Sequence, residues 1–292
     1  MSMYRTINPQ LFDVSLRDGI QGESPEKYTT PHKKEILKTI LQTQFPPQKI
    51  EIGSLVSPKI LPIMRDSVEL LEHAKRDYEN RGLVDYYILV PNFTKLKEAL
   101  SIGVRNVSLI TSVSEQFQLT NVKQTLVQTK NMLWQMKDFI QLYYPSTRVK
   151  LYISCIDYCP ISGRQSIEHI GEELNYYSLY GFDELCISDT CGKLTSGRFG
   201  ELIDEIYIRE LPISKLSLHL HVANNNDEDV CEILQISLRN GIHRFDVSVL
   251  ESGGCSVTMD QSKRMPNLSY NLLYDALAKY IDAEISYMES LS

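Results

Sequence analysis

A chain of 292 residues is long enough for one large domain and buries roughly three quarters of the surface its unfolded form exposes, so its core needs no disulfide staples. With 42% hydrophobic and 23% charged residues, the composition excludes a disordered tail or a fibre. The formal charge is −7, from 30 Lys plus Arg against 37 Asp plus Glu; this argues against a broad basic face for nucleic acid or anionic lipid, and leaves any polyanionic ligand to a local cluster.

No apolar run approaches the roughly 20 residues of a membrane helix. The opening residues MSMYRTINPQ carry no apolar leader or small-residue cleavage site, so a cytoplasmic protein with no membrane contact is expected. The six cysteines (Cys155, Cys159, Cys186, Cys191, Cys231 and Cys255) contain no CxxC pair and are too sparse for a disulfide framework. Most are expected to be reduced, buried and inert.

Eight runs rich in Val, Ile, Leu and Phe alternate with helix-like stretches. The first run, 10–16, ends in Arg17 and Asp18. Thr30 before Pro31 gives a helix N-cap and first turn, and Ile36, Leu37, Ile40 and Leu41 share one face of the helix that follows. The second run, 49–55, carries Glu51 and precedes a helical stretch over 61–82. The third, 86–91, stops before Asn92 and a helix over 94–103. After the fourth, 106–112, comes one long helical segment over 122–143. The fifth, 150–156, precedes a helix over 166–181, and the sixth, 184–190, ends in Asp189 and Thr190 before a helix over 197–208. The seventh, 215–222, carries His219 and His221 and leads to a helix over 226–241. The eighth, 244–250, opens the loop SGGCSV with Cys255, and a C-terminal helical segment fills about 268–292. Gly82, Gly103, Gly181 and Gly241 stand where several helices should stop.

Eight strand-plus-helix units predict an α/β fold, a closed (β/α)8 TIM barrel. No Gly/Ser-rich or Pro-rich stretch divides the chain, so residues 1–292 are read as a single catalytic domain. The alternative, an open doubly wound sheet, lacks the GxGxxG or P-loop element expected after its first strand.

In a barrel, chemistry collects at the C-terminal mouths of the strands. One polar strand end is ordinarily a charge leaving for solvent; convergence of Arg17, Asp18, Glu51, Asn92, Asp189, Thr190, His219 and His221 on one rim points to a site. His219 and His221 lie two apart on a strand, so both imidazoles face one side about 6.5 Å apart along the chain. A single histidine is usually a satisfied core residue, but this pair suits a metal ion, and Asp18 adds a hard oxygen that favours Mg²⁺ or Mn²⁺ over a thiolate zinc site. Gly253 and Gly254 give Cys255 a sharply turning loop, on which it is either a buried packing thiol or a mobile acid.

FDVSLRDGIQGE (12–23) resembles the opening strand motif of the DRE-TIM metallolyases (the pyruvate carboxyltransferase-type family), which include hydroxymethylglutaryl-CoA lyase, isopropylmalate synthase and homocitrate synthase. EIGSLVSPKILPIMRD, ILVPN with SVSEQF, CISDTCG, and LHLHV followed by VLESGGC fall in the same order. The lyases are the closer match, because the SPK segment, the SDTxG turn and the GGC loop are their features. By this resemblance Asp18, His219, His221 and Asn267 are the metal ligands for one Mg²⁺ or Mn²⁺. Arg17 stabilises a thioester enolate, with Glu51 orienting it. Asp189 is the carboxylate of the SDTxG turn, and Cys255 is the catalytic cysteine. Gln21, Asn92 and Thr190 join Arg17 in binding substrate, and catalysis rests on Arg17, Asp18, Glu51, Asp189, His219 and Cys255.

The implied activity is metal-dependent carbon–carbon cleavage of a 3-hydroxyacyl-CoA, such as 3-hydroxy-3-methylglutaryl-CoA, to acetyl-CoA and a keto acid by a homodimer. The chain departs from the family at Val222-Ala223-Asn224, where Asp and Thr are usual, and at ESGGCSVTMDQSKR around the cysteine. A Claisen-type acyltransferase or a barrel that binds without turnover are the competing readings.

Overall fold

The computed structural model describes residues 8–78, 84–223 and 226–290; Gly82 and Asn224 lie outside them. Eight parallel strands close into a barrel. In chain order these are β1 (Gln10–Asp13), β2 (Lys49–Ser54), β3 (Asp85–Leu89), β4 (Asn106–Ser112), β5 (Arg148–Ser154), β6 (Glu184–Asp189), β7 (Leu216–Leu220) and β8 (Arg244–Val247). Closure is made by β1 against β8, from Gln10 beside Arg244 to Asp13 beside Val247.

Around the barrel run α1 (Thr30–Leu41), α2 (Ser67–Tyr78), α3 (Phe93–Ser101), α4 (Glu115–Val122), α5 (Leu126–Tyr143), α6 (Ile167–Ser178), α7 (Ser196–Ile208), α8 (Asp227–Arg239) and α9 (Tyr270–Ser290). Helix α1 starts with Thr29 as its extended N-cap, one residue earlier than the Thr30-Pro31 signal suggests, and buries Ile36, Leu37 and Ile40. The segment expected to be one helix over 122–143 is broken, because Lys123 takes a left-handed conformation at φ 58° and ends α4. Thr125 and Gln128 then form a reciprocal capping box that starts α5. Among the described residues no helix is long and apolar enough to cross a membrane.

The main apolar layer lies between strands and helices, with Ile50, Ile88, Leu109, Ile153 and Leu218 packed against Leu37, Leu96, Ile170, Leu202 and Leu234. Inside the barrel, small apolar groups (Phe12 with Tyr87, and Tyr152 with Cys186) alternate with buried charges. Lys150 reaches Glu184 at 3.0 Å and also bonds Asp246, while Lys49 holds the other oxygen of Glu184 at 2.6 Å. The Lys150 ammonium sits 3.8 Å from the centre of the Phe12 ring. Burial opposes the charge on Glu184, but Lys150 and Lys49 outweigh it and lower the carboxyl to about 2.

The strand run expected over 10–16 ends early. Val14 leaves the extended region at ψ 10°, and Ser15–Gly19 form a single π-helical turn closed by Gly19 N–H to Val14 O at 3.1 Å. Asp13 starts this turn by accepting from Ser15 N–H at 2.8 Å, and its other oxygen accepts from the Tyr270 hydroxyl of α9 at 2.9 Å. Burial pushes the Asp13 carboxyl up to about 7, against the lowering effect of those two bonds. The unfolded carboxyl titrates near ~4, so folding favours protonated Asp13. That contribution is full below about pH 4 and is lost as pH rises through about 7. Asp13→Asn should therefore change stability little at pH 4 and gain on the parent, by on the order of 1–3 kcal/mol, toward pH 8. Urea midpoints across that range measure it; a parent-to-variant difference independent of pH would show that Asp13 does not titrate this way.

Candidate functional site

A cavity of about 460 Å³ opens at the C-terminal mouth of the strands. Arg17, Asp18, Gln21, His219, His221 and Cys255 line its polar part, and Leu55, Val56, Ile60, Leu61, Met64 and Phe117 its apolar wall. The π-helical turn puts Arg17 and Asp18 on this mouth, in a loop after β1 rather than at a strand end.

Arg17 is clamped. Its Nε donates to Glu51 Oε2 at 2.5 Å, its NH1 donates to Asp18 Oδ1 at 2.6 Å, and its guanidinium carbon lies 4.9 Å from the centre of the Tyr152 ring. Tyr152 also donates to Glu51 Oε2 at 3.1 Å. Burial works against the charge, but Glu51 and Asp18 outweigh it and hold the guanidinium well above its ordinary range. Burial likewise opposes ionised Asp18, yet Arg17, the two histidines and the Gly254 N–H, donated at 3.0 Å, hold its carboxyl well below the carboxylate range. Gln21 ties the turn to the cysteine loop, donating to Asp18 Oδ1 at 2.5 Å and to Gly254 O at 3.2 Å.

The histidines are oriented from behind. His219 Nδ1 lies 3.1 Å from Asp246 Oδ2, and His221 Nδ1 lies 2.9 Å from Met265 O. Both partners are acceptors, so each Nδ1 carries the proton and each Nε2 presents a lone pair. Burial lowers the His221 imidazole to about 4, so it is neutral at pH 7. The two Nε2 atoms face each other at 3.2 Å, with Asp18 Oδ2 at 4.0 and 3.7 Å from them. One ligand atom from each of the three residues falls within 4.8 Å of the others.

Three electron-rich atoms converging without a proton between them suit a cation. Asn267, bridged to His221 across a short backbone pair, adds a buried Oδ1 with no hydrogen-bond partner, while its Nδ2 donates to Ser252 O at 3.1 Å. The donor set of two imidazoles, one carboxylate and one amide oxygen fits a divalent cation of the Mg²⁺ or Mn²⁺ class better than a thiolate site does.

Cys255 lines the cavity half-buried, with its thiol 3.7 Å from Asn121 Oδ1. Burial pushes the thiol up, which keeps its proton in place. Thr190 lines the cavity too, its hydroxyl accepting from Cys155 N–H at 2.8 Å. Asn92 reaches the rim but uses its side-chain oxygen to cap α3 through Lys95 N–H at 2.9 Å.

Asp189 is placed differently. Both its oxygens accept backbone amides of the following turn, from Lys193 at 3.2 Å and Leu194 at 3.0 Å, and it is not among the cavity-lining residues. Burial raises its carboxyl to about 6. Asp189 shapes the turn that carries Thr190 and stands behind the mouth.

Sequence reasoning missed Asp246, Tyr152 and Lys150. Each is a lone polar residue in an apolar strand run, and only the barrel shows them bonded to His219, Glu51 and Asp246, respectively.

A family model described as HMGL-like matches residues 8–260. The chain is 27% identical over 246 residues to mitochondrial hydroxymethylglutaryl-CoA lyase of Gallus gallus, covering 84% of this chain and 78% of that protein. It is 29% identical over 257 residues to 3-hydroxy-3-isohexenylglutaryl-CoA/hydroxy-methylglutaryl-CoA lyase of Pseudomonas aeruginosa, with 84% and 78% covered. Among solved structures, hydroxymethylglutaryl-CoA lyase from Pseudomonas aeruginosa matches with a TM-score of 0.78 at 26% identity, over 94% of this chain and 87% of that one.

If the two imidazoles and Asp18 bind a cation, His221→Ala should weaken Mn²⁺ binding more than the ~10–100-fold that follows loss of an outer hydrogen-bond partner, and Asp246→Asn should fall within that range. Calorimetric titration of the chelator-treated protein measures both. Parental affinity in His221→Ala would place the cation elsewhere.

Proposed function

Since the chain belongs to the HMGL-like family, we propose that it is a divalent-metal-dependent lyase that cleaves the bond between C2 and C3 of a 3-hydroxyacyl-CoA, with 3-hydroxy-3-methylglutaryl-CoA giving acetyl-CoA and acetoacetate. The observation that carries this reading is the juxtaposition, in one cavity, of a charge-clamped Arg17, the Asp18-His219-His221 cluster and a protonated Cys255.

Asp18, His219, His221 and Asn267 would hold the cation, which when bound lowers the pKa of the substrate hydroxyl. A weak base then suffices to remove that proton. Asp246 on His219 Nδ1 keeps the Nε2 lone pair turned toward the cation, and the ionised Asp18 carboxylate beside it is the base placed to take that proton. Arg17 places its guanidinium against the oxygen that becomes negative as the thioester turns into an enolate. Glu51 and Tyr152 fix the guanidinium plane, so little reorganisation is needed when that charge develops. Cys255, across the cavity on its loop, donates its thiol proton to C2 of the departing enolate. Asp189 enters as a positioning residue for the Thr190 turn, and Asn92 and Gln21 frame the mouth.

Lys95 and exposed Lys123 also line the cavity and supply the local positive charge that an acidic chain needs to meet the phosphates of CoA. The apolar wall from Leu55 to Met64 and Phe117 leaves room for an acyl branch longer than methyl, in keeping with the isohexenyl substrate named for the Pseudomonas relative.

Incubation of the purified protein with 3-hydroxy-3-methylglutaryl-CoA, and in parallel with a long-branched 3-hydroxyglutaryl-CoA, in Mg²⁺ or Mn²⁺, should release acetyl-CoA and the matching keto acid. No acetyl-CoA from either thioester would overturn the lyase reading. Arg17→Ala should lower kcat by about 10²–10³-fold, as loss of one preorganised electrostatic donor typically does. Arg17→Lys should remain impaired, because a point charge does not reproduce the planar fork. Steady-state kinetics beside thermal melts separate this effect from misfolding; parental turnover in Arg17→Ala would remove Arg17 from the mechanism. Cys255→Ser should lose about 10²–10⁴ in kcat, the usual worth of a positioned acid, with Mn²⁺ affinity unchanged. Undiminished turnover in that variant would make Cys255 a packing residue.

A further inference from the structure

The cysteines are not uniformly inert. Burial pushes the thiols of Cys155, Cys186, Cys191 and Cys231 up. Cys159 goes the other way, down to about 4, chiefly because the Cys155 thiol donates to its sulfur.

The geometry explains the exception. After β5 the chain turns sharply through Cys155 at φ 63° and Asp157 at φ 71°, then forms a small hairpin in which Tyr158–Cys159 pair with Gly163–Arg164. This hairpin folds the backbone around the Cys159 sulfur. Ile161 N–H and Ser162 N–H each donate to it at 3.3 Å, and the hydroxyl of Ser114, at the start of α4, donates at 3.1 Å. Successive backbone N–H groups turned onto one atom form an anion cradle, and a thiolate held this way is the form of cysteine that acts as a nucleophile. Cys159 is itself buried, and the residues whose amides hold it, Ile161 and Ser162 at the hairpin tip, are exposed.

We infer that Cys159 is a hydroperoxide-reactive cysteine and Cys155 its resolving partner, a redox-modification site separate from the cation cluster. In the first step the Cys159 thiolate attacks one oxygen of a hydroperoxide, forming an S–O bond and breaking the O–O bond; sulfur is oxidised to the sulfenic acid, and hydroxide, or alkoxide from an organic peroxide, leaves. In the second the Cys155 sulfur displaces hydroxide from that sulfenic acid, and its proton goes to the leaving oxygen as water. The balance is two thiols and one hydroperoxide to one disulfide, with the peroxide as oxidant. Because the Cys155 N–H donates to Thr190 on the cavity, the disulfide bears on the mouth of the barrel.

The test reads thiol chemistry and does not depend on the catalytic reading. The intact protein is treated with stoichiometric hydrogen peroxide, alkylated and digested with trypsin without reduction. Cleavage after Lys150 and Arg164 leaves both cysteines in one peptide. Residues 151–164 should appear lighter by two hydrogens, refractory to alkylation and restored by dithiothreitol, before half-buried Cys255 is oxidised. In Cys155→Ser, Cys159 should be trapped by dimedone as the sulfenic acid.

The parent protein supplies a second measurement that needs no variant. Between pH 8 and pH 5 an ordinary thiol of pKa ~8.5 slows roughly in proportion to its thiolate fraction, by several hundred-fold, whereas crosslinking here should slow by less than about tenfold. The ionisable groups packed around the pair include Asp189, which burial raises to about 6. Asp157 is held by Arg164 and Arg198, His169 bonds Val113 O, and burial pushes Cys191 up to about 12. Oxidation at Cys255 first, a 151–164 peptide that stays fully alkylatable, sulfinic acid at Cys159 without the crosslink, or an ordinary thiol pH profile would each overturn the inference.

Discussion

Parallel pairing of β1 with β8 joins the first strand of the chain to the last, and it is the closure on which the Asp18-His219-His221 cluster depends. It brings the π-helical turn after β1 against the loop after β8. Ser15 and Ser248 share a hydrogen bond at 3.1 Å, Val249 N–H donates to Ser15 Oγ at 2.9 Å, and Ser252 donates to Gly19 O at 2.5 Å. Gly254 N–H on Asp18 belongs to the same seam. Each such bond contributes only about 1 kcal/mol net. Their partners stand more than 230 residues apart, so none forms until the barrel has closed. Asp18 faces His219 and His221 only in the closed barrel, and folding and site assembly are one event.

Closure alone would leave the imidazoles free to rotate, and the buried charges below them remove that freedom. Lys49, Glu184, Lys150 and Asp246 form an alternating ladder across the barrel interior that ends on His219 Nδ1. Such a ladder is a poor source of stability, because desolvating its charges costs about what their attraction returns, yet removing one member leaves an uncompensated charge at roughly 3–5 kcal/mol. What it supplies is definition. Lys150 donates to Asp246, and Asp246 accepts from His219 Nδ1, so Nε2 meets the cavity as a lone pair. Arg17 with Glu51 repeats the arrangement beside it, where Tyr152 takes the place of a second cation.

How much of this was legible depends on whether a residue's partner is local. Parallel strands buried on both faces read as unbroken apolar runs, so their number and the barrel could be inferred. The HxH pair in the seventh run was visible because two polar residues at strand spacing in an apolar run must share a face. The strand ends were overrun at Val14, Leu16 and Val90, which are buried just past the strands and so keep an apolar character that strand periodicity cannot tell from pairing. Lys150 and Asp246 were illegible. They lie 96 residues apart, and each alone looks like an ordinary charge. The break at Lys123 carried no glycine or proline to announce it, and the Cys159 cradle is made mostly of backbone amides, which leave no mark in composition.

The departure of this chain from its family's motifs around Cys255 lies beside two closely packed glycines. A Cβ at Gly253 would lie 2.4 Å from Asn267 Nδ2 and 3.1 Å from Asp18 Oδ2, and Gly254 holds φ 93° with Arg264 packed against it. Those two positions are pinned by the cation cluster on one side and by Arg264 on the other. Beyond Cys255 the Ser256 hydroxyl donates to Gln21 O at 3.3 Å and Met259 N–H to Cys255 O at 3.2 Å, while Val257 contributes to the apolar wall. Change in the residues following Cys255 therefore alters the apolar lining of the cavity while Asp18, the histidines and the cysteine backbone keep their places. The residues after Cys255 are thus a part of the cavity lining that can change while the atoms beneath them keep their places.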